Sequence, residues 1–162
     1  MKKVLLLALT ITVGVLTSNA QKFRLGAGPV VSVPVGNFGD INGIGIGAEL
    51  TGILEFSESF EAFGQVGYQR FAGKTFNVFG ATIKGDATNH IPVLFGARYK
   101  TNGFLIGAGM GYGSYGANSS GFTFSPQIGY SLEKLDIIGN YTSSSVGGLS
   151  LSYFGIKTHF KF

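Results

Sequence analysis

The sequence contains no cysteine. Disulfides, thiolate nucleophiles and Cys-based metal sites are therefore excluded. It is also poor in charge. Asp, Glu, Lys and Arg make up 12% of the 162 residues, about half the usual share for a soluble globular domain. That is little charge to keep a soluble surface wet. The two histidines, His90 and His159, lie far apart and give no metal-ligand spacing. No apolar run beyond Ala20 approaches the roughly 20 residues of a membrane-spanning helix, and no amphipathic helical period is visible there. The 12 basic residues, less Lys2 and Lys3, stand against 8 acidic ones. That excess is too small to point to nucleic acid.

What is present begins with a leader. Met1-Lys2-Lys3 is a basic start, Val4 to Leu16 is apolar, and Ser18-Asn19-Ala20 is a small-x-small cleavage site. This predicts a secretory signal peptide over residues 1–20 and one domain over residues 21–162.

Glycine is abundant, at 27 residues. In Gly103 to Gly113 it falls on every second position from Gly107 on: Gly107, Gly109, Gly111, Gly113. A dinucleotide loop needs G-x-G-x-x-G, but the third glycine is replaced by Tyr112 or Ser114 in either frame, and no Gly-Lys-Ser/Thr follows. A period of two is instead the side-chain period of a strand. One face of this segment is nearly bare. The other reads Phe104, Ile106, Ala108, Met110, Tyr112.

Eight such segments are expected: residues 23–33, 44–56, 60–71, 89–99, 104–113, 122–132, 135–142 and 153–162. Most match the 9–11 residues of a tilted membrane-crossing strand. Short connections at Ser57–Ser59, Lys100–Gly103 and Glu133–Lys134 alternate with longer ones at Pro34–Gly43, Ala72–Thr88, Ser114–Gly121 and Ser143–Ser152. Alternating short turns and long loops are the pattern of a transmembrane barrel. The fold class expected is therefore all-β, an eight-stranded antiparallel up-and-down transmembrane β-barrel, with both termini at the short-turn end.

The faces agree. Ile44, Ile46, Ala48, Leu50, Leu54 and Phe56 alternate with Gly45, Gly47, Glu49, Thr51 and Glu55. At the short-turn end the outward residues include Phe23, Phe56, Phe60, Tyr99, Phe104, Tyr130, Phe160 and Phe162, an aromatic girdle at one interface. Tyr68, Tyr112, Phe122 and Tyr141 make a sparser girdle toward the other end. The glycines of the fifth segment should face the lumen and leave room for long side chains from the opposite wall. Leu149 and Leu151 have the opposite parity to Phe154 and Ile156, which predicts a bulge or an early strand end near Ser152.

The final strand, Tyr153 to Phe162, carries Gly155, Ile156, Phe160 and a terminal Phe162. It resembles the C-terminal recognition strand of bacterial outer-membrane barrels. With the leader and strand count, residues 23–162 resemble the small OmpA/OmpX-type barrels. That resemblance implies an integral outer-membrane location with periplasmic termini. It also implies the barrel-assembly machinery as a partner, reading Gly155, Ile156, Phe160 and Phe162, and outer-membrane lipid as surroundings. A monomer is expected.

Eight charged residues fall on inward positions: Arg24, Glu49, Glu55, Glu61, Arg98, Asp136, Lys157 and Lys161. Buried charges persist only when paired. They predict an ion-pair network that plugs the lumen, with Arg98 paired to Glu61 or Glu49. The alternative is a narrow conduit for small solutes. Barrel enzymes that modify lipid A use Ser and His with an acidic residue near the outer leaflet. Here His90 has Asp86 nearby but no His-x-Ser motif, and His159 sits at the other end, so no enzyme is expected. No cofactor or metal is expected either. The long connection containing Phe76, Val78, Phe79 and Ile83 keeps strand-like character and is the candidate site for a surface protein partner. The role expected is structural or surface-interactive.

Overall fold

The computed structural model describes residues 22–78, 81–116 and 119–162. The expected signal peptide and Phe79 lie outside them. Strand β1 (Lys22–Val35) is followed by a short helix α1 (Gly36–Ile41), β2 (Asn42–Glu55) and β3 (Phe60–Gly73). Next come β4 (Thr75–Val78), β5 (Ala81–Lys84), β6 (Thr88–Thr101), β7 (Phe104–Ser114), β8 (Ser120–Ser131), β9 (Leu135–Val146) and β10 (Leu149–Lys161). Eight of these strands close into one barrel in the order β1-β2-β3-β6-β7-β8-β9-β10, with β10 returning to β1. All neighbours are antiparallel. The closing seam is completed at the C-terminus, where Phe162 N donates to Leu25 O at 2.9 Å. Closure removes the free edges an open sheet would present.

Alternation dictates the two faces. Ile46, Leu50, Phe95, Ile106, Met110, Ile128 and Ile156 are exposed on the outside. Their neighbours Glu49, Leu94, Leu105, Gln127 and Lys157 are buried inside. An exterior of exposed aliphatics belongs against hydrocarbon, with every barrel strand hydrogen-bonded to two others. The expected turn-end girdle stands outward as drawn from the sequence, with Phe23, Phe60, Tyr99, Phe104, Tyr130, Phe160 and Phe162 all exposed.

The structure of the connections refines the expectation, and at Ser143–Ser152 and Lys100 departs from it. The span Pro34–Gly43 is not wholly loop, because α1 forms within it. The span Ser143–Ser152 is not a long loop at all. Strands β9 and β10 continue through their serines to a two-residue turn at Gly147–Gly148, with φ of 57° and 81°. A tight hairpin turn with positive φ at both central residues suits glycine. Ala72–Thr88 contains a separate hairpin, β4 paired with β5, with Phe76 in register with Ile83 and Val78 with Ala81 along the backbone. The turn Asn102–Gly103 also has positive φ at both positions, and Lys100 belongs to β6 rather than to the turn.

No bulge occurs near Ser152. The pairing of β10 with β9 runs unshifted from Leu149↔Val146 to Phe160↔Leu135. The parity of Leu149 and Leu151 is that of inward Tyr153. Leu151 packs against the buried cluster Phe38, Phe71, Tyr115 and Tyr153. At this end of the barrel the inward face is itself apolar, so apolar parity no longer marks the lipid side.

Candidate functional site: a paired lumen beneath an aromatic lid

Strand β3 shows how the lumen is layered. From the turn end its inward residues read Glu61, Phe63, Gln65, Gly67, Gln69 and Phe71, all buried. Charge comes first, then the Phe63 ring, then two amides, then a second ring, Phe71.

The charged layer is a connected chain. Arg24 lies 3.6 Å from Glu55, and Lys100 reaches both Glu55 at 3.2 Å and Glu61 at 2.8 Å. Glu61 meets Arg98 at 3.4 Å. Arg98 donates through Nε and Nη2 to Gln127 Oε1 at 3.1 and 2.9 Å. Gln127 Nε2 then donates to Gln65 Oε1 at 3.2 Å, and Gln65 Nε2 to Glu49 Oε2 at 3.2 Å. Glu49 Oε1 receives Lys157 Nζ at 2.7 Å and His159 Nε2 at 2.8 Å. A carboxylate only accepts, so the His159 proton sits on Nε2. Asp136 and Lys161 form their own pair at 2.7 Å, joined by Ser131.

The geometry therefore joins six of the eight expected residues, Arg24, Glu49, Glu55, Glu61, Arg98 and Lys157, and sets Asp136 with Lys161 apart. Arg98 takes Glu61 and not Glu49. Sequence reasoning missed Lys100, His159, Gln65 and Gln127 as members. Parity puts Gln65, Gln127 and His159 inside the barrel, whereas Lys100 fell in the expected turn and joins the lumen because β6 runs on to Thr101. What parity cannot give is height, which decides who meets whom.

The bare face of β7 has a different use from the one expected. Its glycines make room for near neighbours and not for the opposite wall. Phe63, two strands away on β3, lays its ring within 3.1 Å of where a Cβ on Gly109 would sit. A Cβ on Gly96 would meet Phe63 Cζ at 2.7 Å and strike the Ala108 carbonyl oxygen. The guanidinium carbon of Arg98 then sits 4.0 Å from the Phe63 ring centroid, a cation–π contact. Two missing side chains thus let one aromatic ring support the buried arginine.

Above the charges lies a neutral layer. Ser32 Oγ donates to Gln69 at 2.6 Å, Ser125 pairs with Thr142 at 2.8 Å, and Thr123 with Ser144 at 2.7 Å. At the loop end the inward groups are rings. Phe38 of α1 inserts between Phe71 and Tyr115, with centroids 4.8 and 5.6 Å away, and Phe71 packs on Tyr153 at 5.3 Å. His90 stacks on Tyr115 at 4.1 Å and is wholly buried. Burial pushes the Tyr115 hydroxyl up to about 12, partly offset by its bond to Ser144. Among the described residues no group of three or more His, Asp or Glu could hold a metal ion.

At the opposite, turn end the barrel opens into a basin of about 460 Å³ that Arg24, Glu55, Lys100 and Lys161 help to line. Gly155 and Lys157 of the last strand face inward, while Ile156, Phe160 and Phe162 are exposed outward. The expected partner loop contains the β4–β5 hairpin, and Phe76, Val78 and Ile83 lie in its strands.

A closed eight-stranded meander, apolar outside and polar within, is the fold of the small OmpA/OmpX-type barrels of the outer membrane. No protein-family model matches the chain, and no curated protein matches it by sequence. By structure it is similar to Ail, the attachment invasion locus protein of Yersinia pestis. The TM-score is 0.55 at 12% identity, over 88% of this chain and 97% of that one. It is similar to Neisserial surface protein A, with a TM-score of 0.54 at 13% identity, over 88% and 99% of the two chains. It is also similar to a de novo designed transmembrane β-barrel, at 0.55 and 15% identity, over 86% and 95%. At these identities the likeness is one of fold.

Proposed function

We propose that this protein is an integral outer-membrane barrel with a structural or surface-interaction role, a lumen sealed to ions and both termini in the periplasm. Residues 1–20 serve as its cleaved leader. Its last strand, through Phe160 and Phe162, engages the assembly machinery, and the finished barrel is a monomer in lipid. The reading rests on one observation above all: the continuous chain from Arg24 to Lys157, whose buried members carry a partner at every link. A conducting path needs charges that exchange partners with passing ions, and tightly paired ones resist this. No catalytic role is assigned to the chain. The β4–β5 hairpin is the surface offered to a protein partner.

The test is single-channel recording on the refolded mature protein, after a heat-modifiability gel has verified the barrel. Silence supports the sealed reading. Stable conductance steps would transfer the assignment to a narrow conduit.

A further inference from the structure

Helix α1 is a poor helix. It has six residues and no side-chain cap at its start, and Phe38 is its one buried residue. A helix this short has no stability of its own. It is held down by the Phe38 ring, by Lys74 Nζ on the Gly39 carbonyl, and by Lys74 N on Ile41 O at 3.0 Å. Such segments open locally at low free energy. When α1 lifts, it leaves a socket walled by Phe71, Tyr115, Tyr153, Val146 and Leu151.

The socket already shows what it accepts. Its occupant is a single phenyl ring, held edge-on by Phe71 at an interplanar angle of 66° and by Tyr115 at 84°. The two tyrosine hydroxyls are turned away from it. Tyr115 donates to Ser144 at 2.9 Å, and Tyr153 accepts from Gln69 at 3.1 Å. The cluster around the ring therefore offers ring carbons and aliphatic groups, and, among the described residues, the one polar neighbour of its two tyrosines left without a partner is Nε2 of His90, whose ring stacks on Tyr115.

We propose that this socket is a binding site for a single-ring, apolar aromatic molecule, entered from the loop end by displacement of Phe38. Binding does not require conduction, because the paired layer near the turn end is untouched. Phe38 acts as an internal competitor. The apparent affinity is the socket's own affinity reduced by the fraction of time α1 is lifted.

The test uses isotope-labelled mature protein in micelles, titrated with toluene and read by amide shifts. Saturable shifts are expected at Phe71, Tyr115 and Tyr153 in the unaltered protein. Phe38→Ala is expected to tighten apparent binding at least ten-fold, and Lys74→Ala, which loosens the latch without touching the socket, several-fold. Unaltered protein that shows no saturable shift at these residues up to the solubility of toluene overturns the proposal. That holds even if Phe38→Ala binds, since the hole would then be an artefact of the substitution. Should Phe38→Ala fail to fold, the comparison of Lys74→Ala with the unaltered protein decides, and equal affinities overturn the displacement.

Discussion

Lys157 and Glu49 stand 108 residues apart in sequence and meet at 2.7 Å inside the barrel, both almost wholly buried. The carboxylate is shared with His159 and bonded by Gln65. Removing either partner strands a charge where no solvent is at hand. Glu49→Ala is expected to destabilise the barrel by about 3–5 kcal/mol. The double replacement Glu49→Met with Lys157→Met should cost distinctly less. Urea unfolding in micelles, followed by tyrosine fluorescence or gel shift, checks both. A double variant weaker than the single would show that the pair contributes more than mutual neutralisation.

Gly96 is expected to be among the least replaceable positions of the wall. Alanine there would press on the Phe63 ring at 2.7 Å and on a backbone carbonyl that has nowhere to go. Gly96→Ala should destabilise by roughly 1–3 kcal/mol, the usual range for overpacking. Gly52→Ala, whose Cβ would meet only the Phe23 ring at 3.4 Å, should be close to neutral. Equal unfolding midpoints for the two would contradict this.

Tyr115 gives a pH signature for the lid. Its hydroxyl is pushed up to about 12 by burial, from an ordinary value of 10.0. A group whose folded value is raised contributes stability that is full below the unfolded value and is lost as pH rises through the folded one. The lid should therefore loosen between about pH 10 and about pH 12, and Tyr115→Phe should abolish that part of the decline. Thermal unfolding of the two proteins across this range makes the comparison, and parallel curves would exclude Tyr115 as the cause.

Phe162 is exposed on the outside and holds the closing seam through its backbone. Phe162→Ser keeps those backbone bonds. It is expected to reduce the amount of assembled barrel in cells several-fold while refolding in detergent proceeds nearly as before. Equal losses in both settings would assign Phe162 to stability instead of to assembly.

Strand number, faces, girdle and part of the lumen's membership could be read in the sequence, because a period of two writes each residue's side directly into its number. Two things could not. The first is height: Lys100 and His159 find their carboxylates through the stagger between strands, which no single strand records. The second is the lid. Helix α1 has no cap and no helical period, and exists because Phe38 finds a tertiary socket. For the same reason Leu151 and Tyr153 escaped the rule that apolar positions face lipid. Near the loop end the inward face is itself apolar, built from Phe38, Phe71, Tyr115 and Tyr153.

Three prolines divide the wall. At Pro29 the pairing of β1 with β10 skips from Ala27↔Phe160 to Val30↔Lys157. At Pro92 that of β3 with β6 skips from Val66↔Val93 to Gln69↔His90. At Pro126 that of β8 with β9 skips from Phe124↔Ser143 to Gln127↔Asn140. A proline has no N–H to give to the ladder. Each of the three seams β1–β10, β3–β6 and β8–β9 therefore keeps its register across a gap in the ladder at a proline. Elsewhere, as between β1 and β2, β6 and β7, and β7 and β8, the ladder runs without a gap, so each proline marks the one break in the rungs of its seam.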